Sequence, residues 1–429
     1  MTAIAQAHWK SLPGPDDTSR VELSNGIVVL ARSNFNSPSV LLSGYLNCGS
    51  LFESDSQMGL SAFTAQALTR GTQTYDFQQL FDLLETAGAS LGFSSGTHTT
   101  SFGGRALAED LPLLLNLLSE CLRKPTFPPD QVERLRAQIL AYLGIRAQDT
   151  GENAALEFDK ALFAGHPYAR PEEGYPETVA PIQRDDLVAF HQKHYGPVGM
   201  VIVVVGAVEA EQATTLVQQV IGDWQNPEQM ALPILPPVTP LKKTRRVHVP
   251  IAGKSQTDID LGTLGPKRKS EDYLAASLGN NILGQFGMMG RIGDVVREQA
   301  GLAYHASTSL NAGIDLGTWE VNAGVNPANV DRAIKLIVEE LKRFVNEPVT
   351  KEELQDSQAN FIGRLPIGLE SNSGVANALV NLERFQLGLD YYRHFPDRVQ
   401  QITTTEVLET AKRYIDPKRL VIASSGPEA

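Results

Sequence analysis

Tyr195-Gly-Pro-Val-Gly-Met-Val-Ile-Val-Val-Val-Gly206 recurs near the C-terminus as Tyr414-Ile-Asp-Pro-Lys-Arg-Leu-Val-Ile-Ala-Ser-Ser-Gly426. In each, a tyrosine ends a helical pattern, a proline-containing turn follows, and an apolar run stops at glycine. Such a run is strand-length and reads as a buried strand. A second landmark repeats as well: Gly88 precedes two strands and a helix, and Gly301 precedes the same series. The two offsets, 219 and 213 residues, agree within loop variation, so the chain reads as an internal duplication.

Working outward, the first half predicts strands at 21–30 and 39–48, then helices at 59–69 and 77–86. Strands follow within 90–105, with helices at 111–123, 131–143 and 185–195 and the strand 200–205. The second half repeats this order. It has a strand at 257–264, a helix from 271 to about 283, strands at 303–310 and 317–325, helices at 330–344, 352–364 and 406–414, and a last strand at 420–423. Between the halves, Leu232-Pro-Ile-Leu-Pro-Pro-Val-Thr-Pro240 has too many prolines for an interior helix or central strand and reads as an extended linker. The expected architecture is α+β. Two homologous domains, 1–230 and 247–429, each hold a mainly antiparallel sheet with helices on one face, and 231–246 links them.

Several stretches resemble, in order, the M16 (insulinase/pitrilysin-like) metallopeptidases. They are Leu23-Ser-Asn-Gly26, Asn47-Cys-Gly-Ser50 with Glu53, Gly59-Leu-Ser-Ala-Phe, Arg70-Gly-Thr72, Gly165-His-Pro-Tyr168, Gly174, Asp186-Leu…Phe190…Tyr195 and Val296-Arg-Glu-Gln-Ala-Gly-Leu-Ala-Tyr304. The resemblance implies a clamshell arrangement and, in active members, a His-x-x-Glu-His helix that binds zinc, with the Glu as general base. The matching window here is Ala62-Phe-Thr-Ala-Gln66: Ala62 and Gln66 replace the histidines, and Ala65 replaces the base. The later helix, expected to supply a third Glu ligand, reads Arg136-Ala-Gln-Ile-Leu-Ala-Tyr-Leu143 and has no carboxylate there. No metal and no cofactor are therefore expected in this chain.

The family's second half supplies an Arg and a Tyr that complete a site facing it, and Arg297 and Tyr304 stand at that Arg-x6-Tyr spacing. A phenol O–H donates to the oxyanion built by water attack on a peptide carbonyl, and a guanidinium holds carbonyls or carboxylates in its fork. Read without the family, Arg297 is a helix-end residue paired with Glu298 or Asp294, and Tyr304 packs under a helix. The resemblance is to non-catalytic processing-peptidase subunits, such as the alpha subunit of the mitochondrial enzyme. It implies a heterodimer with a zinc-binding homologue and peptide substrates. A structural scaffold and a peptide-binding chamber without catalysis are the alternatives. Gly284, Phe286, Gly287 and Gly290, with Met288 and Met289, lie in a glycine-rich segment that is either a substrate-contacting loop, a lid or a helix interruption.

Composition narrows the rest. A net charge of −12 argues against a nucleic-acid surface, and no apolar run reaches the roughly 18 residues that span a bilayer. Cys48 and Cys121 read as buried thiols. His191 and His194, three apart on a helix, read as a solvated face, and His166 as a turn residue. Lys242, Lys243, Arg245 and Arg246 read as a solvated strand edge. The N-terminus, Met-Thr-Ala-Ile-Ala-Gln-Ala, lacks the charged and apolar regions of an export signal. The protein is expected to be soluble, cytoplasmic or periplasmic.

Overall fold

A computed structural model describes residues 12–287 and 290–428. The strands are β1 (Ser19–Glu22), β2 (Val28–Ser33), β3 (Ser39–Leu46), β4 (Ser90–Ser95), β5 (Thr100–Leu107) and β6 (Val201–Gly206), then β7 (Arg245–Pro250), β8 (Thr257–Gly265), β9 (Ala303–Ala312), β10 (Gly317–Val325) and β11 (Val421–Gly426). The helices used below are α1 (Leu60–Ala67), α2 (Phe77–Thr86), α3 (Leu111–Arg123), α4 (Pro129–Arg146), α5 (Thr150–Leu162), α6 (Arg184–His194), α7 (Ala210–Ile221), α8 (Tyr273–Gly284), α9 (Val330–Asn346), α10 (Lys351–Gly368), α11 (Asn372–Arg384) and α12 (Thr404–Tyr414).

The first sheet runs β1-β2-β6-β3-β5-β4 and the second β7-β11-β8-β10-β9. In both, the strand that opened the sequence argument occupies the same place. β6 pairs parallel with β2 and antiparallel with β3. Correspondingly, β11 pairs parallel with β7 and antiparallel with β8. The duplication is thus realised strand for strand over five positions, with β1 an extra edge strand of the first sheet. It extends to helices: α4 and α10 have 18 residues each, and the helices after them, α5 and α11, have 13 each.

The expected α+β layers are present, with one addition. The inner face of the first sheet (Val29, Val40, Leu42, Phe102, Ile202, Val204) forms a core with Leu114, Leu118, Val217 and Phe63 from α3, α7 and α1. The other face of β6 is also sealed, because Val201, Val203 and Val205 are buried too. α11, from the second half of the sequence, lies against β3 and β6. Its buried residues include Val375, Leu379 and Leu382. In the second sheet α5, from the first half, packs on β7, β8 and β11, with Phe158, Ala161 and Leu162 against Val421 and Ala423.

Each compact unit therefore draws on both halves of the chain. One comprises 1–144, 170–235 and 366–393, the other 145–169, 236–365 and 394–429. The proline-rich stretch forms neither helix nor strand, and one of the unit boundaries falls within it, between Leu235 and Pro236. Lys242, Lys243, Arg245 and Arg246 are exposed, the last two on the edge strand β7.

Because Phe158 is fully buried in the contact between α5 and β11, Phe158→Ala should cost about 3–5 kcal/mol of unfolding free energy. A chemical denaturation series checks this.

Candidate functional site

The helix that carries the Ala62-Phe-Thr-Ala-Gln66 window, α1, is tightly placed. α1 starts at Gly59, whose φ of 94° is left-handed, and a Cβ there would sit 2.6 Å from the Glu173 carbonyl. Glu173 is held by a matching constraint: Gly174 has φ 70°, and its Cβ would meet the Met58 carbonyl at 2.1 Å. The α1 N-terminus is capped from outside the helix by the buried Glu53. Its Oε1 accepts from Ser61 N at 2.6 Å and its Oε2 from Gly59 N at 3.1 Å. Arg170 donates to the Glu53 carbonyl at 2.7 Å. Behind α1, Arg136 of α4 stacks 5.4 Å from the Phe63 ring and donates to the Val179 and Ala180 carbonyls.

On this frame Ala62 and Gln66 project, one turn apart, into a cavity of about 360 Å³. Across it stand Leu135, Gln138, Ile139 and Tyr142 of α4, with Arg70 and Glu173 at the rim. The structure thus brings Ala62 and Gln66 together with the α4 face. Ala65 is fully buried and does not line the cavity. Arg70 donates to Gln138 at 3.0 Å and lies 5.1 Å from the Phe77 ring. Glu173 is the functional-type residue that sequence reasoning missed. Its only signal is its position beside Gly174.

This donor set does not fit zinc. Alanine has no lone pair to offer, the amides are neutral, and one carboxylate is short of the three protein ligands of a catalytic site. Among the described residues, no group of three His, Cys, Asp or Glu side chains is placed to hold a metal ion.

His191 and His194 are packed against neighbouring side chains, and the solvated face expected for them is overturned. His194 is buried between Phe52 and Phe190, with ring centroids at 4.2 and 4.6 Å. Desolvation holds its pKa down at about 4. His191 contacts the Leu122 carbonyl through Nε2 at 2.8 Å, and burial lowers its pKa as well. An i,i+3 pair on a mostly polar helix carries little sign of this, because Phe52 and the Leu122 carbonyl, which complete the cover, come from distant segments. His166 is a buried turn residue whose Nδ1 accepts from Tyr168 N at 3.1 Å. Cys48 and Cys121 are buried free thiols.

In the second unit Arg297 and Tyr304 sit on two departures from regular backbone. Asp294–Gln299 is a π-helical turn, and it carries Arg297. The Arg297 Nε lies 3.5 Å from Glu298, an exposed pair worth little. Tyr304 is the extra residue of a β-bulge: His305 pairs with Gly324 and Ala303 with Val325, leaving Tyr304 unmatched. Without the bulge it would share the face of Ala306 and Thr308, both buried. With it, Tyr304 is 70% exposed on edge strand β9, and the packed-under-a-helix reading does not hold.

In the glycine-rich segment, Gly284 ends α8 against Thr308, and Phe286 is 39% exposed. Gly287 stands free of close neighbours, and Gly290 begins a short turn over the Gly284 backbone. Met288 and Met289, like residues 1–11, lie outside the described residues.

The comparisons with known proteins agree with this geometry. Residues 28–170 match the insulinase family (peptidase family M16), and residues 181–361 match the peptidase M16 inactive domain. The chain belongs to the M16 peptidase family. An uncharacterized zinc protease of Mycobacterium tuberculosis is 27% identical over 392 residues, 89% of this chain and 87% of that one. A Helicobacter pylori protein described as a non-peptidase homolog is 23% identical over 87% of this chain and 86% of its own length. The crystal structure of a peptidase M16 inactive domain from Pseudomonas fluorescens superposes with a TM-score of 0.88 at 26% identity, covering 96% of this chain and 98% of that one.

Burial pushes the Glu53 carboxyl up to about 8, against the pull of the two backbone N–H donors and Arg170. The folded chain thus keeps a proton that the unfolded chain releases near 4.5. The stability this proton linkage contributes is full below that value and is lost as pH rises through about 8. Glu53→Gln should flatten that part of the stability–pH curve, read from urea midpoints at pH 5 and pH 8.5.

Proposed function

We propose that this chain is the non-catalytic subunit of a heterodimeric M16 peptidase, partnered with a homologue that keeps His-x-x-Glu-His. In that assembly Arg297 and Tyr304 act across the shared chamber. Tyr304 donates its phenol proton to the oxygen on which charge builds during water attack, and Arg297 binds the peptide's carbonyls or carboxylate. Zinc and the general base come from the partner.

The observation carrying this reading is the contrast between the two units. The zinc-motif positions hold side chains that cannot ligate, whereas Tyr304 is turned out of the sheet by a bulge that ordinary packing does not require. Strand irregularities cost pairing and recur beside active sites, where they re-aim a side chain. A pure scaffold has no use for an exposed phenol delivered in this way.

Peptide binding has separate support. β4 is an unpaired sheet edge with the sequence Ser-Leu-Gly-Phe-Ser-Ser, lacking the charges and prolines that usually block strand addition. It lies beside α1, where Ser95 and Ser61 hydroxyls bond at 2.6 Å. An extended peptide added to β4 runs next to the helix that bears Ala62 and Gln66.

Mixing the chain with a His-x-x-Glu-His homologue should produce peptide cleavage that neither gives alone. In the mixture, Tyr304→Phe should lower kcat by about 10²–10³, and Arg297→Ala should chiefly raise KM. Full activity in both variants would remove the trans-acting role. Chelator-sensitive cleavage by this chain alone would overturn the assignment.

A further inference from the structure

Arg384, the last residue of α11, is half-buried, and unlike Arg136 and Arg291 it has no counter-ion among the described residues. Arg136 is held by Glu133 at 2.9 Å and Arg291 by Glu353 at 2.6 Å. Arg384 makes no ion pair among the described residues. One terminal nitrogen donates to Thr99 Oγ1 at 3.0 Å and to Ser101 Oγ at 3.3 Å. Its guanidinium carbon lies 4.7 Å from the centre of the Tyr45 ring. The adjacent carboxylate, Glu383, is felt electrostatically at Tyr45 but is engaged by Arg20 through both oxygens, at 2.9 and 2.6 Å.

Tyr45, Thr99 and Ser101 each bring a hydroxyl donor beside the Arg384 guanidinium. Thr99 and Ser101 use oxygen lone pairs on Arg384 and each retain a hydroxyl proton. Tyr45 stands directly across from Ser101 in the β3–β5 ladder, so their side chains share a face. Burial pushes the Tyr45 phenol up to about 12, which keeps it protonated, and burial lowers the pKa of Arg384. The Arg384 Nε is buried without an acceptor. A half-buried cation among donors is in the costly arrangement that a bound anion relieves.

We propose that Tyr45, Thr99, Ser101 and Arg384 form a carboxylate-binding subsite for the peptide ligand of this chain. The ligand class rests on the peptide-binding reading above; the anion preference rests on the donor cluster alone. A carboxylate is favoured over a phosphate because one guanidinium supplies one positive charge, and its planar fork matches a planar acceptor. Two sources share that chemistry: a peptide's C-terminal carboxylate and an Asp or Glu side chain.

The test uses the full chain without any partner, so it can fail while the Arg297 and Tyr304 roles stand, and the reverse. Three labelled peptides serve as probes in fluorescence anisotropy: acetyl-Ala-Ala-Ala with a free carboxylate, the same peptide amidated, and an amidated form with Asp at the centre. At least one acidic peptide should bind tenfold or more tightly than the neutral amide, and which one does names the source. Arg384→Gln should remove that preference. The paired substitution Thr99→Val with Ser101→Ala should weaken it several-fold, and it serves if Arg384→Gln fails to fold. Side-chain Nε–H spectra should show the Arg384 resonance moving with the acidic peptide only. Equal affinity for acidic and neutral peptides, no binding of any, or an acid preference untouched by these substitutions would overturn the subsite.

Discussion

Two strands buried on both faces impose the constraint on which this structure depends. β6 and β11 are each covered above and below, and every residue of each is buried. A strand in that position needs an apolar layer on both sides of its sheet. Helices from the same half of the chain, set between its strands or after them, fill one side, and a helix from the other half fills the second. α11 serves β6 and α5 serves β11. Because the exchange is reciprocal, neither half of the sequence can complete its own core without the other.

The same constraint positions the chemistry. α11 reaches the first sheet to cover Val201, Val203 and Val205, and its last residue brings Arg384 over Tyr45, Thr99 and Ser101. α1 is fixed between Glu53 at its N-terminus and Arg136 behind it, so Ala62 and Gln66 face α4 across a retained cavity. A buried capping carboxylate and two left-handed glycines serve the helix itself, so they remain useful whatever the exposed positions carry.

Arg297 and Tyr304 illustrate how irregular backbone does what regular elements cannot. A regular β9 would point residue 304 into the core with Ala306 and Thr308. One unmatched residue reverses it, and a π-helical turn just upstream sets Arg297 on its own path.

The duplicated apolar runs at Met200–Gly206 and Leu420–Gly426, with their tyrosine and proline punctuation, were enough to establish two related α+β halves. Hydrophobic period and turn residues act locally, and both repeats carry them. The spacing was likewise enough to put Ala62 and Gln66 on one face, since positions one helical turn apart share a face wherever the helix lies; that α4 stands across from them was implied by the family resemblance and not by the spacing. Only the tertiary structure decided which sheet α5 and α11 cover, because an amphipathic stripe specifies that a face is buried and not against what. It also decided that His191 and His194 are packed, that Glu173 stands at the cavity rim, that a bulge turns Tyr304 outward, and that Arg384 lacks a counter-ion. Each of these depends on contacts between residues far apart in sequence, where local pattern carries no information.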